Sequence, residues 1–222
     1  MVGIFLLRGK SQLSQRMMVF IDYQNVYMRA REVFGDATTK ADFTFGQVLP
    51  RRLGVRVRQL AEEAGKQRTL DGVRVYRGEP DAERNPIGQA ACQRQVHFWS
   101  SQQGVEVFTR PLNYRAIRWD GGRPVDWEVR EKGIDVMLAV DLVMGAARDQ
   151  YDVAVLLSAD TDLLPAAEAV LDMGKWVEFA AWRPDTGYAS HLRVPGRSTW
   201  CHHLRRHDFE MVSDRTDYTR AS

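Results

Sequence analysis

Short apolar runs, bounded by glycine, proline or acidic residues, alternate along the chain with stretches in which apolar residues recur every three or four positions. The first run, MVFID at 18–22, breaks off at Asp22 and is followed by a helical pattern over 24–33. In PRRLGVRVRQLAEEAG, 50–65, Leu53, Val57, Leu60 and Ala61 share one helical face and Gly65 supplies a C-cap. GVRVYRG, 72–78, sets Val73 and Val75 against Arg74 and Tyr76, the alternation of a strand. Residues 86–103 predict a helix with Pro86 in its first turn and Gly104 beyond its end, leading into a third strand, VEVFTR. KGIDVMLAVDLVMGAARD, 132–149, predicts a strongly apolar helix, after which DVAVLL predicts a fourth strand. A helix over 162–173, stopped by Gly174, and a fifth strand at KWVEFAAW, 175–182, complete the series.

Five continuous apolar strands alternating with helices predict an α/β fold whose parallel sheet is covered on both faces. In such sheets ligands bind beyond the carboxyl ends of the strands, where strand order reverses. Asp22 ends the first strand and Asp160 follows the fourth, so neighbouring strands would set these two carboxylates side by side.

Bulk composition adds bounds. With 222 residues, 44% hydrophobic and 27% charged, the chain has the balance of one globular domain. We expect that domain over 17–210, with a hairpin-like insertion at 110–132 and a polar, mobile tail at 211–222. The leader MVGIFLLRGKSQLSQR, 1–16, has too short an apolar run and no cleavage pattern for a signal peptide, and reads as an appendage or as the result of an upstream start codon. Cys92 and Cys201 lie far apart and read as reduced thiols, which points to a cytoplasmic protein. No apolar run approaches the ~20 residues of a membrane span. A net charge of +2 makes no case for nucleic acid by itself; the placement of the charges has to make it.

That placement is informative in two stretches. LLSADTDLLP, 156–165, ends an apolar strand in Asp160 and Asp162, a device for holding a divalent cation. Asp135, in the first turn of the apolar helix, either joins them or complements the helix dipole. Asp141 is six residues further on, about 240° round the helix, and so reads as packing support. The second stretch, 110–132, carries an Asp120-Gly121-Gly122 turn signal and interleaves Arg110, Arg115, Arg118, Arg123, Arg130 and Lys132 with Tyr114, Trp119 and Trp127. It fits single-stranded nucleic acid, or equally a solvated hairpin with its tryptophans on the body. Lys132, beside Asp135, is the best placed to touch a phosphate.

Other features carry less. Cys201, His202, His203 and His207 invite a zinc reading, but adjacent histidines rarely face one metal, and WCHHLRRHDF reads as an amphipathic terminal segment. His97 reads as a partly buried helix residue. The chain has no P-loop, GxGxxG or GxSxG. FIDYQN lacks the second aspartate of a haloacid dehalogenase phosphatase.

FIDYQN (20–25), EKGIDVMLAVDLV (131–143) and LLSADTDLLP (156–165) together resemble the three signature blocks of the NYN domain, the LabA-like branch of the PIN-like nuclease superfamily. The resemblance implies a three-layer α/β/α sandwich with a mostly parallel five-stranded sheet in the order 3-2-1-4-5. It also implies a ribonuclease site in which Asp22, Asp135, Asp160 and Asp162 are catalytic and hold Mg2+ or Mn2+. Asn25 and Ser158 match the family's polar positions, and with Arg110, Arg130 and Lys132 are the expected substrate contacts; Asp141 is supporting. Ala159 and Leu163 depart from a frequent glycine and a frequent aromatic, and neither removes a ligand.

The chemistry explains the cluster. A carboxylate cage alone repels a phosphodiester, whereas magnesium or manganese reverses the local sign and polarises the phosphate. Asp160 is the firmer ligand, and Asp162 is expected to bind through water or to serve a second metal. Alanine at Asp22 or Asp160 is expected to abolish cleavage and to stabilise the metal-free protein. The expected partner is single-stranded RNA, and self-association into a homo-oligomer stays open. The alternative is a non-catalytic RNA-binding or regulatory module that keeps the acidic pocket.

Overall fold

The computed structural model describes residues 14–187 and 191–220. Residues 1–13, most of the expected leader, lie outside the described residues, and the first strand, β1 (Gln15–Asp22), begins two residues before Met17. The chain continues through α1 (Tyr23–Phe34), α2 (Pro50–Glu63), β2 (Arg68–Glu79), α3 (Pro86–Ser100) and β3 (Val105–Pro111). A hairpin follows, β4 (Asn113–Asp120) and β5 (Arg123–Arg130), then α4 (Ile134–Ala147), β6 (Val153–Leu157), a 3-10 turn (Thr161–Leu163), α5 (Leu164–Asp172) and β7 (Trp176–Trp182). β8 (Trp200–Leu204) and α6 (Arg206–Val212) close the chain.

The sheet corrects the expectation of five strands in the order 3-2-1-4-5. Among the described residues it has six, in the order β3-β2-β1-β6-β7-β8, and every neighbouring pair is parallel. The hairpin strands pair with each other, as a separate two-stranded sheet. The added strand, β8, lies in the segment that reads in sequence as an amphipathic terminus. WCHHL has little apolar alternation to mark it: its buried positions are Leu204 and His202, whose Nε2 lies 2.7 Å from Glu178 Oε2 on β7.

β1 sits at the centre and divides the core by the strand period of two. Met17, Val19 and Ile21 face a layer that includes α1 and α2, Trp99 of α3 and Phe209 of α6. Met18 and Phe20 face Ile134, Leu138 and Leu142 of α4 and Ala167 and Val170 of α5. All five residues of β6 are buried because helices cover both of its faces. The tail after Val212, expected to be mobile, packs on the body: the Tyr218 hydroxyl donates to Asp214 Oδ2 (2.7 Å) and Arg94 Nε donates to the Tyr218 carbonyl (2.7 Å). Among the described residues no helix is long and apolar enough to cross a membrane.

Candidate metal centre and nucleic-acid interface

β1 and β6 are parallel neighbours, with Ile21 opposite Leu157, so their carboxyl ends lie together. From this seam the chain order runs outward in opposite directions, through β2 and β3 on one side and β7 and β8 on the other, which makes it the switch point of the sheet. Asp22 is the last residue of β1 and the N-cap of α1, where its Oδ1 accepts from the Asn25 backbone N–H (3.1 Å). Across the seam, Ser158 Oγ donates to Asp22 Oδ2 (2.8 Å) and accepts from the Asp160 N–H (3.1 Å). Asn25 Oδ1 accepts from the Ala159 N–H (3.0 Å). Asp160 in turn caps the 3-10 turn by accepting from the Asp162 N–H (2.9 Å). Ser158 and Asn25, expected as substrate contacts, are thus engaged within the protein, bracing two strand ends so that Asp22 and Asp160 are held in place.

Asp135 arrives from the opposite side. Gly133 takes a left-handed conformation (φ 76°) ahead of α4, and Ile134 and Leu138 bury that helix on the sheet, leaving Asp135 half-exposed in its first turn. Asp135 lies within electrostatic reach of Asp22, Asp160 and Asp162. Asp141 points elsewhere, accepting a hydrogen bond from the Tyr76 hydroxyl (2.9 Å). Sequence reasoning missed a fifth acid, Glu131, whose Oε1 accepts from the Gly78 N–H (2.8 Å) beside Asp22 and Asp135. Its only sequence signal was its place at the head of the EKGIDV block.

The electrostatics are those of acids without an ion-paired base. Burial raises the Asp22 carboxyl to about 6, with the nearby Asp135 and Glu131 adding to the rise against the hydrogen bonds from Asn25 and Ser158. Burial also raises Asp135, as do Asp160 and Asp162, and it raises Glu131 with a contribution from Asp135 against the Gly78 hydrogen bond and the charge of Arg77. Among the described residues none of these five acids forms a salt bridge, although Asp22 is only 5% exposed. A buried carboxylate in that company fits a hard divalent cation. Among the described residues no three of the acids bring their oxygens within 4.8 Å of one another. Ligands on one octahedral ion at ~2.1 Å are at most ~4.2 Å apart, so in this arrangement no more than two carboxylates reach one ion directly and the rest act through water.

The basic residues flank this pocket. Arg84, Arg110 and Lys132 line one groove with Tyr114 and Gly133, and the Arg110 guanidinium lies over Gly133. Arg84, which sequence reasoning did not single out, stacks on Trp127 (4.6 Å to the ring centroid) and Tyr114 (5.6 Å). Arg130 is exposed on β5 and pairs with Glu128 (2.5 Å), so it stands apart from Arg110 and Lys132 in that groove. The two tryptophans divide the alternatives between them: Trp127 packs edge-on against Tyr114, while Trp119 is 62% exposed at the hairpin tip, flanked by exposed Arg118.

No curated protein sequence matches this chain. A solved structure of a protein of unknown function from Vibrio parahaemolyticus is similar at 20% identity, with 77% of this chain and 83% of that one covered and a TM-score of 0.44. The family model of the NYN domain matches residues 16–193, taking in the strand ends, the α4 turn and the acidic seam, and the chain therefore belongs to the NYN domain family.

Proposed function

We propose that this protein is a ribonuclease of the LabA-like, PIN-like kind that hydrolyses phosphodiester bonds of single-stranded RNA with the help of Mg2+ or Mn2+. NYN domains are nuclease-type domains, and those that are nucleases act on RNA. The observation that carries the reading is the convergence of Asp22, Asp135, Asp160 and Asp162 at the switch point without a basic partner, one of them buried. A pocket built only to bind RNA gains nothing from four carboxylates facing a phosphate.

A bound cation supplies charge neutralisation and polarises the scissile phosphate. Asp160 and Asp135, whose charges act on each other, are the residues that would hold it directly. Exposed Asp162 acts through water or on a second ion. Asp22, locked by Ser158 and Asn25, sets the negative potential at the base. Lys132 and Arg110, in the adjoining groove, receive the phosphates on either side of the cleaved bond, and the hairpin offers Trp119 as a face for a base. Water adds to phosphorus, the P–O bond to one ribose oxygen breaks, and that oxygen leaves as a hydroxyl.

Incubation of the purified chain with labelled single-stranded RNA or DNA, with manganese or with chelator, tests this. RNA cleavage that chelator and Asp160→Asn both abolish is the expected outcome. Tight, chelator-insensitive RNA binding with no cleavage under any metal would make the protein the binding module instead.

A further inference from the structure

Two strands along the sheet from the acidic seam, a second group of metal-ligating side chains comes together. On β8, Cys201 and His203 point to one face by the strand period, while His202 between them turns to the other and binds Glu178. Residues 191–194 ahead of β8 lie over the first face, anchored there by buried Leu192 and Val194, and set His191 against His203 with ring centroids 5.3 Å apart. Cys201 Sγ is 4.0 Å from His203 Nδ1, and one ligand atom from each of the three residues lies within 4.8 Å of the others. Among the described residues no other group of three such side chains meets that distance.

We propose that His191, Cys201 and His203 form a transition-metal site that takes Zn2+, separate from the acidic pocket. Zinc bonds of ~2.3 Å to sulfur and ~2.0–2.1 Å to nitrogen place tetrahedral ligands about 3.3–3.6 Å apart, so the group closes on an ion by shifts of about 1 Å or less. One thiolate and two imidazoles form a borderline-soft set that prefers zinc to magnesium, the reverse of the all-oxygen seam. Three protein ligands leave a fourth position for water. Arg193 Nε donates to His191 Nε2 (3.1 Å), so an ion held through that nitrogen would displace the arginine; burial pushes the Cys201 thiol up against the charge of Arg193, and zinc ligation would release its proton. The ion would clip the β7–β8 connection to the edge strand. The adjacent histidines that count against zinc in the sequence do part company; the missing ligand comes from ten residues upstream of Cys201.

The test uses the full chain, stripped of metal, in an Asp22→Asn, Asp160→Asn background that disables the acidic seam. The expected result is one zinc bound per chain, a raised melting temperature, and a cobalt-substituted form with a thiolate-to-cobalt charge-transfer band. Cys201→Ser should abolish that band and weaken zinc by more than about tenfold, as should His191→Ala, which sits in a connection and leaves the sheet intact. No stoichiometric zinc in the background protein, or zinc binding undiminished in both variants, overturns the proposal. None of these readouts depends on RNA cleavage, so the site stands or falls apart from the ribonuclease reading.

Discussion

Asp22 does two jobs that pull against each other. As N-cap it anchors α1, and as a buried acid it lacks a counter-ion. Its carboxyl is raised from the ordinary value of 3.8 to about 6, so the folded protein holds the proton more tightly than the unfolded chain does. For a metal-free protein the sign follows: stability is greatest below pH ~4 with respect to this group and is lost as pH rises through ~6, by up to on the order of 3 kcal/mol. The structure also refines the choice of substitution. Alanine removes the charge but also the cap, worth ~1 kcal/mol, whereas asparagine keeps the cap. Asp22→Asn should therefore raise metal-free stability near pH 8 by about 1–3 kcal/mol, with the gain vanishing near pH 4, as read from urea denaturation. A variant equally or less stable near pH 8 would show that Asp22 already has a compensating charge. The position of Asp22 was legible in the sequence because an apolar strand stops there. Its bond to Ser158 was not, because that contact joins two strand ends remote in sequence and exists only once the sheet is assembled.

At the scale of elements, the hairpin and β8 show where local signals suffice and where they fail. The hairpin announces itself through Asp120-Gly121-Gly122, whose glycines both adopt positive φ (53° and 79°). Its strands pair with each other and carry exposed Arg115, Arg118 and Arg123, so they can change without disturbing the sheet. Replacing these three arginines with alanine should leave the melting temperature and the cleavage rate at saturating RNA unchanged. It should weaken RNA binding and lower the slope of log affinity against log salt by roughly 0.7 for each phosphate that is no longer neutralised. An unchanged slope would remove the hairpin from the interface. β8 gave no comparable signal, because one of its two buried positions is a histidine, whose burial depends on a carboxylate two strand positions back on a neighbouring strand rather than on apolar periodicity.

The whole molecule segregates its charges. Away from the acidic seam, two buried acids meet bases: Asp208 accepts from Arg56 Nε (2.6 Å) and the Arg205 N–H (2.7 Å), and Glu178 meets Lys66 (2.8 Å), Arg68 (2.8 Å) and His202 (2.7 Å), while buried Asp214 is held by neutral donors, the Tyr218 hydroxyl (2.7 Å) and the Thr216 N–H (3.0 Å). Burial pushes Glu178 up, but hydrogen bonds from His202, Lys66 and Arg68 outweigh it and hold the group at about 2. Its contribution is therefore present above its ordinary pKa and is lost only as pH falls toward 2, the reverse of Asp22. Glu178→Gln strands a buried Arg68 and should cost about 3–5 kcal/mol in urea denaturation while leaving metal affinity at the seam unchanged. A loss under about 1 kcal/mol would mean that water replaces the carboxylate. Sequence periodicity conveyed the α/β class and the seam between first and fourth core strands. It did not convey which acids are neutralised, since that depends on partners brought together by the sheet.

The contrast between matched and unmatched acids makes metal binding the most direct test. Manganese titrated into the metal-free chain above pH about 7, followed by calorimetry, should bind and raise the melting temperature, weaken as pH falls through ~6, and be lost in Asp160→Asn. Manganese affinity equal in wild type and Asp160→Asn, or independent of pH across that range, would contradict the account.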